Sequence, residues 1–294
     1  MHYLVIVSAI WAFSFGLIGN SLSRVDPMFV AVTRLGIASL AFLPFLRLNI
    51  LLNGSHLRLM TCGGLQFGVM YLCYIKAFQY IPSHLVALFS ILTPLYVVLI
   101  HDLREARFNR KFLYASLLSV VGAAIIRLGP EVSGSIWKGF LLMQLAGLSF
   151  GFGQVEYRKW KRSRPEIKDH EVFAILLVGG FIVTGIASAF LTDPSTLQIE
   201  TSQWRILIYL SLIATGIGFF LWNKGAALCR TDTLAAFNNA VVPLAMFCSL
   251  FVFGELEKVS LNEIIRLLLG ALCIFGAVFF AEYSSVKSKG NSEG

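Results

Sequence analysis

The sequence predicts an all-α integral membrane protein, with ten transmembrane helices arranged as two inverted five-helix repeats. Three observations predict it. Hydrophobic residues make up 57% and charged residues 14% of the 294 positions, with a mean hydropathy of +0.76, outside the range of ordinary soluble domains. Runs of about twenty mostly uncharged residues follow one another with short polar breaks. Finally, Tyr74-Ile75-Lys76-Ala77-Phe78, followed by Pro94, recurs as Trp222-Asn223-Lys224-Gly225-Ala226, followed by Pro243. A chain that repeats its own plan of spans and breakers is built from two related halves.

The runs fall near residues 3–22, 28–46, 59–79, 84–101 and 112–129, then 136–156, 171–191, 204–224, 233–253 and 262–282. They are continuously apolar, where barrel strands would alternate and be about half as long, and a helix satisfies its own backbone in lipid. The first run is expected to be a retained span rather than a signal peptide. Only Met1 and His2 precede Tyr3, with no basic leader and no clear cleavage site before Arg24.

The charge balance, +8 from 24 Lys and Arg against 16 Asp and Glu, carries an orientation signal. With the N-terminus inside, fifteen Lys and Arg fall in inner loops and tail and six on the outer side, while Arg34, Lys76 and Lys224 lie within spans. The positive-inside rule therefore predicts that both termini are cytoplasmic, in a multi-pass inner-membrane protein. The basic run Arg158–Arg164 belongs to this bias and does not call for nucleic acid. The expected partners are a small-molecule substrate and the lipid bilayer.

Five spans per half is an odd number, so the second half (131–294) enters the membrane from the face opposite to the first (1–130). Inverted halves can exchange conformations and open a shared midplane cavity to each side in turn. Inversion also places Lys76 about a turn from the outer end of span 3 and Lys224 about a turn from the inner end of span 8. Two readings of these lysines stand: snorkelling to the interface, or gating and contact with an anionic substrate. Pro94 and Pro243 interrupt the backbone ladders of spans 4 and 9 and permit bends, whether static or hinge-like.

Other chemistries lack their residues. No G-x-x-x-x-G-K-[ST] loop occurs for ATP, and the one G-x-S-x-G match, Gly147-Leu148-Ser149-Phe150-Gly151, lies inside an apolar run and not at a strand-to-helix turn. The five histidines are scattered without metal-ligand spacing, so no enzyme activity, metal or cofactor is expected. The five cysteines include no CxxC pair and read as apolar packing residues. Glu156, near the inner end of span 6, is the acidic candidate for coupling, but it lies beside Arg158 and Lys159, and pairing with them is its expected role. This leaves proton antiport, exchange and facilitated diffusion all open.

Trp11-Ala12-Phe13-Ser14-Phe15 in span 1, Arg34 with Ala38 in span 2, the paired Lys and Pro patterns, and Gly254-Glu255 before the Gly270, Gly276 span together carry a resemblance. The chain resembles a ten-helix member of the drug/metabolite transporter superfamily, of the EamA type, over nearly its whole length. It departs where relatives often carry Gly-Glu after span 4 and this chain has His101-Asp102-Leu103-Arg104-Glu105; span 7 also has no counterpart of Arg34. The resemblance implies an inner-membrane carrier of amino acids, amines or related metabolites, up to a derivative the size of S-adenosylmethionine. The competing class is a non-transporting structural or sensory subunit.

Polar groups within spans mark the expected solute path, because a charge at the bilayer centre costs about 2.5–3.5 kcal/mol on insertion scales. Trp11, Ser14, Phe15, Arg34, Gln66, Tyr71, Ser90, Gln144, Asn223 and Asn238 are the expected binding residues, with Lys76, Pro94, Lys224 and Pro243 as gates or hinges. Spans 1, 3, 4, 6, 8 and 9 would surround the site, leaving spans 5 and 10 to brace the bundle or form a homodimer.

Overall fold

The computed structural model describes residues 2–49, 55–104, 135–194, 197–228, 231–258 and most of 261–276, with a few positions between 118 and 125. All described secondary structure is helical. Among the described residues, five helices are long and apolar enough to cross a membrane: His2–Leu22, Pro27–Phe45, Ser83–His101, Asp169–Leu191 and Thr201–Leu228. They coincide with spans 1, 2, 4, 7 and 8. Span 3 is the helix over 55–77 and span 6 is Ile136–Arg162. Span 9 is Thr231–Phe247 with its extension Cys248–Val252, and span 10 contains Ile264–Cys273. Span 5 lies outside the described residues apart from isolated positions, as does Cys229; Cys62 is buried and its Sγ donates to the Gly153 carbonyl at 3.6 Å, while Cys73, Cys248 and Cys273 are free thiols.

Local chemistry sets the helix ends. Span 2 starts where Asp26 Oδ1 accepts from the Phe29 amide at 2.8 Å and Pro27 occupies the first turn, which needs no proline N–H. Thr192 Oγ1 donates to the same carboxylate at 2.7 Å, joining the end of span 7 to the start of span 2. Gly254, at φ 69°, turns the chain after span 9 through a conformation that favours glycine.

The helices are less regular than periodicity predicts. Wide π turns occupy Ile18–Leu22, Gly64–Val69, Leu210–Ile217 and Cys248–Val252, so spans 3 and 8 both widen before their lysine. In span 4 a tight 3-10 turn, Ser90–Leu92, precedes the α-helix Thr93–Arg104. Pro94 thus stands in the first turn of a restarted helix. Pro243 lies inside Thr231–Phe247.

The two halves interdigitate. Span 2 packs on spans 7 and 8, span 3 on 6 and 7, span 1 on 8 and 9, and span 4 on 6 and 9. Spans 3 and 7 approach backbone to backbone: a methyl on Gly63 would strike the Leu176 carbonyl, and one on Gly179 the Met60 carbonyl. Small residues permit this in lipid, where close packing replaces the hydrophobic drive. Leu40, Ile186 and Phe190 face outward, as lipid contact requires.

Candidate functional site

A cavity of about 100 Å³ lies midway along the bundle, walled by spans 1, 2, 3, 4, 6, 8 and 9. Trp11, Ser14, Phe15, Arg34, Tyr71, Ser90 and Asn238, seven of the ten expected binding residues, line it. Met70, Tyr74, Thr93, Met143, Ala146, Gly147, Phe150, Phe219 and Val241 complete the wall.

The other three residues lie elsewhere. Gln66 and Asn223 are fully buried and bond to each other, Gln66 Nε2 donating to Asn223 Oδ1 at 2.9 Å, so they tie span 3 to span 8. Gln144 accepts from Tyr96 Oη at 2.9 Å and donates to the Phe140 carbonyl at 3.1 Å. Each amide found a helix partner, which a polar group in lipid requires and which span position alone did not reveal. Nor do the four gate candidates line the cavity. Lys224 Nζ lies 5.0 Å from the Tyr3 ring centre and 6.0 Å from that of Phe220, while Lys76 is half-buried in the last turn of span 3.

Arg34 is the single charged side chain among the described lining residues. It is 2% exposed. Its Nε donates to Thr215 Oγ1 at 3.2 Å, and its guanidinium carbon stands 4.6 Å from the centre of the Tyr71 ring. Tyr71 Oη and Thr215 Oγ1 share a 2.8 Å hydrogen bond, closing a triad from spans 2, 3 and 8. Arg34 Nη1 is buried without a hydrogen-bond partner, and among the described residues no carboxylate is paired with it. Thr215 was missed from sequence, being one hydroxyl in an apolar stretch with nothing periodic to single it out.

Aromatic groups cluster at both ends of the cavity. Toward the end of span 8, the Trp11 ring lies 5.0 Å from Phe219 and 4.8 Å from the buried Trp222, and Trp11 Nε1 donates to the Ala214 carbonyl at 2.9 Å. Toward the end of span 3, Phe15, Tyr74 and Phe78 stack edge to face at 5.4 and 5.2 Å. Beyond that second cluster, Glu255 clasps the start of span 4. Its Oε1 accepts from the Ser83 amide at 3.0 Å, and its Oε2 accepts from the His84 amide at 3.1 Å and lies 2.7 Å from His84 Nδ1. Burial alone would raise the Glu255 pKa, but the hydrogen bonds from His84 and Ser83 outweigh it and hold the carboxyl below its usual range. At the far end of span 6, Glu156 pairs with Arg58 of span 3 at 3.2 Å, a partner across the bundle that sequence proximity did not suggest.

A bundle of membrane-length apolar helices around a central cavity is the architecture of a solute carrier. The sequence pattern of the EamA-like transporter family matches residues 1–128 and again 137–282, and the chain belongs to that family. It is 38% identical over 261 residues to proteins named Biotin transporter from Salmonella typhimurium (strain LT2) and from Escherichia coli (strain K12), covering 87% of this chain and 85% of each relative. It is 39% identical over 257 residues to a Probable biotin transporter of Pseudomonas aeruginosa, covering 87% of this chain and 90% of that one. A solved crystal structure overlays on 96% of this chain with a TM-score of 0.62 at 19% identity, a likeness of fold alone.

Proposed function

We propose that this chain carries biotin, or a close carboxylated analogue, across a bacterial inner membrane by alternating access about the central cavity. The observation that carries the reading is the cavity itself, enclosed by helices of both matched segments in a chain 38–39% identical to biotin transporters. Its wall is mostly apolar with a few fixed polar groups, the make-up of a small-molecule site. Amino acids, amines and S-adenosylmethionine fit less well. Each brings a cation, and the described wall offers one guanidinium and no acid to meet it.

Ten spans in two inverted halves, 1–130 and 131–294, with cytoplasmic termini, complete the proposal. The helix pairing supports the halves: exchanging spans 1–5 with 6–10 turns the 1–9 contact into 6–4, 2–8 into 7–3 and 1–8 into 6–3, while 2–7 and 4–9 map onto themselves. On this orientation the Glu255 clasp closes the outer side and the Trp11–Trp222 stack the inner side.

The test is uptake of radiolabelled biotin by proteoliposomes containing the purified chain, with and without a pH gradient. Saturable flux above empty vesicles, competed by unlabelled biotin and not by an amino acid panel, is expected. No flux, or flux that amino acids compete and biotin does not, would refute the assignment.

A further inference from the structure

Two features of the cavity wall go beyond the transport reading and rest on it: a guanidinium without a counter-ion, and a set of hydroxyls whose protons are already committed. Arg34 is held in place by Thr215 and by the Tyr71 ring, yet neither group neutralises it, and its Nη1 has no partner. A cation kept 98% buried beside a cavity is expensive unless something anionic joins it there for part of the cycle. Guanidinium presents a planar fork of donors that matches a carboxylate.

The hydroxyls complement it. Ser14 Oγ donates to the Trp11 carbonyl at 2.8 Å, Ser90 Oγ to the Ala87 carbonyl at 2.7 Å, and Thr93 Oγ1 to the Ser90 carbonyl at 2.7 Å. A hydroxyl has one proton, so each of these can offer only lone pairs to a guest. They stand on spans 1 and 4, whereas Arg34 stands on span 2. The 3-10 turn of span 4 brings Ser90 and Thr93 to the wall together.

We infer that Arg34 anchors the carboxylate of the substrate while Ser14, Ser90 and Thr93 accept hydrogen bonds from its N–H groups, so the site selects a monoanionic carboxylic acid that also bears N–H donors. Thr215 and Tyr71 are positioning residues that hold the guanidinium toward the cavity.

The experiment measures inhibition of labelled biotin uptake in proteoliposomes by unlabelled biotin and by its carboxamide. In the unmodified protein the carboxamide should be at least about 30-fold weaker, the loss expected when one partner of a buried charge pair is removed. In Arg34→Gln the acid-to-amide ratio should fall below about threefold, and in Arg34→Lys it should lie between. A merely structural Arg34 would lower uptake of every ligand and leave the ratio where it was, which would overturn the inference. Should neither variant reach the membrane, the ratio in the unmodified protein decides alone: a value near one overturns the anchor. Thr93→Val should weaken biotin about 5- to 10-fold and heptanoate, which has no N–H donor, less than twofold, following from about 1 kcal/mol per net hydrogen bond; equal effects would overturn the acceptor role. If no biotin is carried at all, the transport reading fails, and the anchor is then read from thermal stabilisation of the purified protein by hexanoate against hexanamide. Stabilisation by the acid alone, lost in Arg34→Gln, supports the anchor, and equal behaviour of the two ligands overturns it.

Discussion

Replacing Glu255 should loosen the side of the cavity that its carboxylate closes. The carboxylate caps two amide groups at the start of span 4 and meets the His84 ring, contacts that reach 171 residues along the chain. A helix cap contributes about 0.5–2 kcal/mol, and a partly exposed ion pair adds up to about 1 kcal/mol. Glu255→Ala should therefore shift the clasped-to-open ratio by about 2 kcal/mol, or about 30-fold. Glu255→Gln keeps one acceptor oxygen and should lie between. The assay places a cysteine at the wall position Ala146, in a chain whose native cysteines are replaced, and follows its labelling by a membrane-impermeant maleimide from the Glu255 side. The pH sign is fixed as well. Because the folded carboxyl lies below its ordinary value of 4.5, its contribution is present above that value and lost as pH falls through the depressed one. Between pH 6 and 8 the Glu255 carboxyl itself should stay ionised. Equal labelling of Glu255→Ala and its parent would refute the clasp, as would faster labelling of Glu255→Gln than of Glu255→Ala.

Two further substitutions test the helix contacts. Gln66→Leu should lower the melting temperature by about 2–6 °C, from a lost interhelical bond and an orphaned Asn223 amide together worth about 1–2 kcal/mol; adding Asn223→Leu should restore part of the loss, which differential scanning fluorimetry in detergent would read. Trp11→Phe removes the Nε1 bond to the Ala214 carbonyl but keeps most of the ring stack, so about 1 kcal/mol of closure at that end should go while biotin inhibition changes less than threefold, checked by labelling from the opposite face and by competition.

Much of the helix arrangement was legible in the sequence because lipid enforces a coarse rule: about twenty apolar residues per crossing. Nine of the ten expected runs coincide with described helices, and only span 5 falls outside the described residues. The site was legible where a polar side chain faces the cavity and illegible where it bonds a neighbouring helix. Arg34 and Ser90 stand on the cavity, while Gln66, Asn223 and Gln144, equally polar and equally deep, are spent on neighbouring helices. Span position gives the depth of a residue but not the direction in which it points, and the π turns of spans 3 and 8 rotate the helix face away from a regular 3.6-residue register. Glu255 could be noticed as part of a Gly-Glu pair, but its role depends on a contact far along the chain.

Backbone-to-backbone contacts on one side and mid-span prolines on the other divide the helices predicted to stay fixed from those predicted to move. Spans 3 and 7 touch through backbone at Gly63 and Gly179, and carbonyls on each side leave no side chain to rearrange if one helix slides past the other. Spans 4 and 9 carry both prolines, the 3-10 turn Ser90–Leu92 and the π turn Cys248–Val252, and they meet each other beside the cavity. Opening is therefore predicted to occur in spans 4 and 9, moving against a block that includes 3 and 7. Pro94→Ala and Pro243→Ala should slow turnover several-fold while leaving the biotin concentration for half-inhibition within about twofold, since neither residue lines the wall. Gly179→Val should instead abolish folded protein, because the Met60 carbonyl cannot move aside for a side chain. If Gly179→Val transported normally, or if the proline variants lost binding in proportion to turnover, the division between a fixed block and moving helices would be wrong.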